Sequence, residues 1–356
     1  YTQNIVRAAS IEWNQQRTPT EGFRALVINS GNANACTGQR GIDDNQTIAA
    51  IAAKHLGADE NQVLVLSTGV IGQHLPMQET TNGIAQAISE QGGSQDHFER
   101  ATMAILTTDK GPKTIESVVS TKFGDINIAG MAKGAGMIGP KMATMLAIII
   151  SDAKISSDSA QQILNRAVEQ SFNRISVEGH TSTNDALVMI CNGNSEIEVE
   201  SEESLQEFEK AVTENCIQLA KQIPADGEGA SHLITIDIHG ATNDQQADSV
   251  ARIVAASALV KTAITGSDPN WGRIVSAAGY AGAEMDVSMT SLKLNGFLVF
   301  DNGQPVHFDE KQVSQSLNDQ FETLIELTIG GGQGSARHWT SDLTQEYVRF
   351  NSEYTT

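Results

Sequence analysis

Along the 356 residues of this chain, strand-like and helix-like stretches alternate, which restricts the fold to layered α/β or α+β architectures. Arg24 to Asn29 (RALVIN) and Val63 to Leu66 (VLVL) read as strands, each running into a Gly-containing loop. The Ala/Ile-rich stretch Gln46 to Leu56 between them reads as a helix. Within Glu202 to Ile223, the apolar residues Leu205, Phe208, Val212, Cys216, Leu219 and Ile223 recur at steps of three or four. That spacing predicts a helix with one buried stripe, and Ser204 to Glu207 has capping-box spacing inside it. Leu233 to His239 alternates as a strand, and Asp248 to Val260 reads as a helix. Lys293 to Phe300 and Leu324 to Ile329 read as short strands. At roughly 150 residues per domain the length predicts about two domains. The change of pattern near Gly240 places a catalytic part at 1–240 and a smaller C-terminal α/β domain at 241–356.

Charge narrows the partners. There are 43 acidic residues against 23 Lys plus Arg, a net charge of −20, which argues against a nucleic-acid or anionic-membrane partner. An anionic substrate would have to be drawn by a few placed cations against the field of the whole molecule. No segment approaches the ~18 apolar residues of a membrane-spanning helix; the strongest run, Met142 to Ile150, is far shorter. The start, Tyr1-Thr2-Gln3-Asn4, has neither an initiator Met nor a basic region with an apolar stretch behind it, so no signal peptide is expected and the natural N-terminus is expected upstream. Cys36, Cys191 and Cys216 are widely spaced without a CxxC, and the eight histidines form no HxH or HExxH pair. A disulfide framework and a zinc site are therefore not expected. The expectation is a soluble, cytoplasmic protein with no cofactor or metal, and Cys216 reads as a core residue on its stripe.

Gly134-Ala135-Gly136-Met137-Ile138-Gly139 matches GxGxxG, with Asp125 to Ile128 as a candidate strand before it. Dinucleotide binding needs a helix next, whose N-terminus holds the pyrophosphate. The residues that follow, Pro140 to Ile150, end in Ile148-Ile149-Ile150 and favour a strand. No acidic residue follows a strand at the expected distance of about 20 residues. The glycines then serve a tight loop that feeds a buried strand, and Thr144 sits at the mouth of that strand. On spacing alone, Thr144 is either a packed strand residue or an N-terminal nucleophile. A Thr hydroxyl needs a base, and the residue's own α-amine, with a pKa of about 7.7–8.0, can serve. The amine is released only by cutting Ala143–Thr144, a cut that the same hydroxyl can make by attacking the Ala143 carbonyl.

Lys133-Gly134-Ala135-Gly136-Met137-Ile138-Gly139-Pro140, with Met142-Ala143-Thr144-Met145-Leu146, resembles the cleavage region of the ornithine acetyltransferase family, also called glutamate N-acetyltransferase. Further segments agree in order. They are Asn29 to Gly38, Ser67-Thr68-Gly69-Val70-Ile71-Gly72, Thr107-Thr108-Asp109, Ser182-Thr183-Asn184-Asp185, Asp226-Gly227-Glu228-Gly229-Ala230, Asp268 to Arg273 and Asn351 to Thr356. No single match is specific, but the ordered set spans essentially the whole chain.

The resemblance implies a self-cleaving enzyme of arginine biosynthesis that moves acetyl from N-acetylornithine to glutamate in a ping-pong cycle. It implies Thr144 as nucleophile in both cleavage and transfer, pieces 1–143 and 144–356, and the Thr68 hydroxyl with the Gly69 N–H as oxyanion donors. Thr107, Lys133, Thr144, Glu228, Asn351 and Thr356 would bind the amino-acid substrates, Lys133 through the α-carboxylate and Glu228 through a cationic amine. By themselves Lys133 and Glu228 read as solvated charges, Thr68-Gly69 as a turn, and Asn351 and Thr356 as a chain end. The implied fold is an αββα-type sandwich similar to the self-cleaving N-terminal aminopeptidases, assembled from two copies of each piece. The chain departs from the family pattern at Lys141 and at Glu178-Gly179-His180, which bears on substrate choice. Two other readings remain open at this point: an N-terminal-nucleophile aminopeptidase or amidohydrolase on the same fold, and an uncut, catalytically silent binding protein.

Overall fold

A computed structural model describes residues 1–139 and 145–353. The chain forms a mixed α/β fold with several sheets and divides into two compact units. Among the described residues, one comprises Tyr1–Asn173 with His180–Ile223; the other takes Arg174–Gly179 and residues 224–353. The second unit thus begins before Gly240. The strand Leu233–Ala241 is the reason, since it is paired on one side by Glu322–Thr328 and on the other by Gly334–Ser341.

In the first unit, Ala25–Asn32 and Val63–Val70 form a parallel pair, with Ser30 opposite Thr68 and Gly31 opposite Gly69. Both strands run past their apolar cores, so Thr68 and Gly69 are strand residues and not part of a following loop. The helix between them spans Gly38–Leu56, starting well before Gln46. It stops at Gly57, whose left-handed backbone (φ 65°) turns the following Ala58 N–H back onto the Ala53 carbonyl at 2.9 Å. A four-stranded sheet has the order Lys113–Thr121, Gly124–Lys133, Leu146–Ser151, Ala186–Cys191. The helix Glu202–Ala225 carries the expected stripe: Phe208, Val212, Cys216, Leu219 and Ile223 are fully buried. Burying each such side chain is worth about 1.5–3 kcal/mol. Gly130 makes room for the stripe, because a Cβ there would lie 2.9 Å from both Leu219 and Ile149 side-chain carbons. The helix starts at Glu202, two residues before Ser204, and the Ser201 hydroxyl accepts the Ser204 N–H at 3.2 Å. Ser201 therefore does the capping expected of Ser204.

The second unit is built on a seven-stranded sheet. Ile234, Ile236 and Ile238 alternate into its core and meet Ala247, Val250, Ala251 and Val254 of the helix Asp244–Ala256. The helix expected over Asp248 to Val260 is two helices. Ser257 leaves helical geometry and its hydroxyl caps Ala258–Thr265, an interruption that the alanine-rich pattern conceals. The expected strand Lys293 to Phe300 is likewise a hairpin, Ser291–Leu294 and Phe297–Asp301, turned by Asn295 and Gly296 at φ 46° and 83°. Among the described residues no helix is long and apolar enough to cross a membrane.

Candidate active site

The first unit buries a charged cluster. Lys133 ends the strand Gly124–Lys133 and is only 2% exposed. Its Nζ donates to Thr107 Oγ1 at 2.7 Å and, more weakly, to Thr68 Oγ1 at 3.4 Å; it lies 4.0 Å from Asp109 Oδ2. Asp109 is the hub: its side chain is fully buried and Oδ1 accepts from Lys113 Nζ and from the Gly134 N–H, both at 2.6 Å. Oδ2 accepts the Thr107 N–H at 3.2 Å. Burial pushes the Asp109 carboxyl up, but the Lys133 and Lys113 charges and the hydrogen bonds from Lys113 and Gly134 outweigh it. The carboxyl is held below its ordinary value and is an anion at neutral pH.

Thr68 is almost fully buried near the end of its strand. A hydroxyl that accepts from an ammonium keeps its own proton to donate. Gly69 beside it has φ 131°, and a Cβ there would lie 2.2 Å from the Gly31 carbonyl carbon. Only glycine fits, since the two parallel strands approach backbone to backbone at this point.

The strand after the glycine loop is Leu146–Ser151, and it runs antiparallel to Gly124–Lys133 with Leu146 opposite Lys133. A dinucleotide βαβ unit requires parallel strands, so the GxGxxG match does not mark a cofactor site. Met145 donates its N–H to Asp185 Oδ1 at 3.0 Å. Burial raises Asp185 to about 7 against that hydrogen bond. The Thr2 hydroxyl donates its proton to the Ser182 carbonyl at 2.7 Å, leaving Asp185 Oδ2 without a partner among the described residues. Next to it, Asn184 Nδ2 donates to the carbonyls of Ala33 and Ser67, both at 2.7 Å, tying both parallel strands' ends to this segment. Burial pushes the thiols of Cys191 and Cys216 up to about 12, far from thiolate chemistry.

In the second unit, Glu228 and Asn351 meet: Asn351 Nδ2 donates to Glu228 Oε2 at 3.0 Å. Asn351 lies on the helix Gln345–Glu353. Gly229 (φ 68°) lets that helix dock, because a Cβ there would lie 2.4 Å from the Tyr347 nitrogen. Thr344 adds a hydrogen bond to the Gly229 carbonyl at 2.7 Å. Burial, then the negative charges of Glu178 and Glu228, push Tyr347 up to about 12. The chain end is thus helical through Glu353, where the sequence alone read as a frayed end.

Of the residues expected at the site, Thr68, Gly69, Thr107 and Lys133 come together in the first unit, and Glu228 and Asn351 in the second. Ala143, Thr144, Lys141 and Thr356 lie outside the described residues. Sequence reasoning gave no role to Asp109, Lys113, Asn184 or Asp185. Lys113 carries a signal in retrospect: in Lys113–Thr121 it occupies the same inward-facing alternation as Ile115 and is 2% exposed. A cation at an inward strand position needs a partner.

A buried ammonium held by two threonine hydroxyls, beside a strand end that admits only glycine, is a pre-organised polar cluster of the kind that α/β enzymes of small-molecule chemistry use. The sequence matches the ArgJ family over residues 1–356, and the chain belongs to that family, with glutamate N-acetyltransferase (ornithine acetyltransferase) activity in arginine biosynthesis. It is 46% identical to the arginine biosynthesis bifunctional protein ArgJ of Rhodopirellula baltica, over 100% of this chain and 88% of that one. The protein of the same description from Dehalococcoides mccartyi is 44% identical over 100% and 87%. The crystal structure of arginine biosynthesis bifunctional protein ArgJ from Bacillus halodurans aligns with a TM-score of 0.57 at 38% identity, covering 58% of this chain and 98% of that one.

Proposed function

We propose that the chain cuts itself at Ala143–Thr144 and then transfers acetyl from N-acetylornithine to glutamate through an acetyl ester on Thr144. The observation that carries this reading is the buried Lys133 with its hydroxyl partners Thr107 and Thr68, in a family member of strongly negative net charge. In the uncut chain the Thr144 hydroxyl attacks the Ala143 carbonyl, the acyl group moves from nitrogen to oxygen, and water hydrolyses the ester. The freed α-amine then takes the hydroxyl proton as Thr144 attacks the acetyl carbonyl of the donor. The Thr68 hydroxyl and Gly69 N–H stabilise the oxyanion, each such donor contributing roughly 3–4 kcal/mol. Ornithine leaves with the proton on its amine, and the glutamate amine takes the acetyl group.

Lys133 and Thr107 hold the α-carboxylate common to both substrates, and Glu228 with Asn351 receives the side-chain ammonium that ornithine has and glutamate lacks. Thr356 completes the binding set. The fold in this reading is the αββα sandwich of self-cleaving enzymes, working as two copies each of pieces 1–143 and 144–356.

Intact mass of the purified protein tests the cut. Thr144→Ala should leave one uncut chain without transferase activity, whereas the parent should give a second piece beginning Thr-Met-Leu-Ala. Acid quench with N-acetylornithine alone should trap an acetyl group on that piece. A single full-length mass in the active parent would end the proposal.

A further inference from the structure

We propose that Asp109 is a positioning residue for substrate carboxylate recognition, fixing the Lys133 ammonium and the Thr107 hydroxyl in one geometry from the buried hub between them. This rests on the reading that Lys133 and Thr107 hold the α-carboxylate of both substrates. Asp109 does not reach the substrate itself in that reading.

Its carboxylate meets four residues: Thr107 of its own loop, Lys113, and the adjacent Lys133 and Gly134. Oδ2 takes the Thr107 N–H at 3.2 Å and lies 4.0 Å from Lys133 Nζ. Oδ1 takes the Gly134 N–H and Lys113 Nζ, both at 2.6 Å. Gly134 directly follows Lys133 and has φ 146°, a backbone state that side-chain-bearing residues rarely hold. The Gly134 bond therefore sets the direction in which the chain leaves Lys133, while the Thr107 bond sets the loop whose hydroxyl holds Lys133 Nζ. A lysine stem has four rotatable carbons and loses considerable entropy when held. With its backbone exit, its hydroxyl partner and its counter-charge all fixed by one buried carboxylate, Lys133 meets an incoming carboxylate already oriented.

The consequence is specific. Both substrates carry the α-carboxylate, so disturbing Asp109 should raise both KM values in parallel and leave kcat nearly alone. The test is a double-mutant cycle on the self-cleaved enzyme, with Asp109→Asn, Lys133→Gln and the pair. Asp109→Asn should raise KM for N-acetylornithine and for glutamate by about tenfold each, with kcat within about threefold, and should add less than about twofold in the Lys133→Gln background. Equal KM effects in both backgrounds, a change for one substrate only, or a loss confined to kcat would overturn the positioning role. Lys133→Gln alone separates the two levels: unchanged KM values there sink the carboxylate reading, whereas raised values with a silent Asp109→Asn sink only this inference. Should Asp109→Asn fail to fold by thermal melt, Asp109→Ser, which retains an acceptor at smaller volume, is measured against the same outcomes.

Discussion

The two clusters to which the proposal assigns substrate contacts differ in how much water they keep. In the first, the side chains of Lys133, Lys113 and Asp109 are each 3% exposed or less, and the Lys133 cation is tied through Thr107, Thr68 and Asp109. Around Glu228 the carboxylate is half-buried and its partner Asn351 is exposed on a helix near the chain end. Charges out of water interact strongly and are screened little by salt, whereas charges at the surface interact weakly and are screened within about 8–10 Å. The first cluster is thus a fixed template and the second an adjustable contact. That division matches what each would do: the template meets the group shared by both substrates, and the adjustable contact meets the group that only one possesses.

The largest expected effect tests the dry interior through stability. Asp185 is raised to about 7 in the folded chain, so the folded state holds a proton that the unfolded state releases near its ordinary value. Its contribution is present below pH ~4 and is lost as pH rises through about 7, an effect of order 4 kcal/mol at most. Melting temperatures between pH 4 and 8 should show that loss in the parent. Asp185→Asn, whose amide oxygen still accepts the Met145 N–H, should flatten this part of the profile; an unchanged profile would mean that Asp185 stays ionised.

Next in size, Thr68→Ala should lower kcat for acetyl transfer by roughly 10²-fold, since it removes an oxyanion donor from a buried position. A similar loss in Glu228→Gln would erase the contrast between the two clusters. Instead, Glu228→Gln should raise KM for N-acetylornithine by about tenfold, the equivalent of ~1.4 kcal/mol, and leave KM for glutamate within about twofold. Raising salt from 0.05 to about 0.5 M should shrink this difference, whereas the effect of Lys133→Gln should persist. The smallest effect belongs to Asn351→Ala. With Asn351 exposed and held by single hydrogen bonds to Glu228 and the Tyr347 carbonyl, the donor KM should rise only about twofold. A tenfold change there would show that the second cluster is as rigid as the first.

Much of the local structure was legible in the sequence. The stripe from Phe208 to Ile223 is buried as its spacing foretells, and the triple Ile does enter a strand. The misreadings are also local. Ser257 interrupts an alanine-rich pattern that continues on either side of it, and Asn295-Gly296 folds one expected strand into two. In both places an apolar periodicity survives the break, so periodicity is blind to it. The apolar run Val63 to Leu66 predicts a strand that stops at Leu66, because polar Ser67 and flexible Gly69 break the run. Pairing with Ala25–Asn32 carries the strand on regardless.

Periodicity and residue type by themselves determined which faces are buried, and the ordered motifs determined the family. Burial is written within a few residues, at periods of 3.6 or 2, and each motif is equally local although their order runs along the whole chain. What only the tertiary structure decided is the company each charge keeps. Thr68, Lys113 and Lys133 lie on three strands and Thr107 and Asp109 on one loop, spread over 66 residues from 68 to 133. Whether Lys133 is a solvated surface cation or a buried, hydroxyl-bound one depends on strand pairing and on the Asp109 hub. A side chain's electrostatics come from everything within a few ångströms, and chain distance carries almost none of that information.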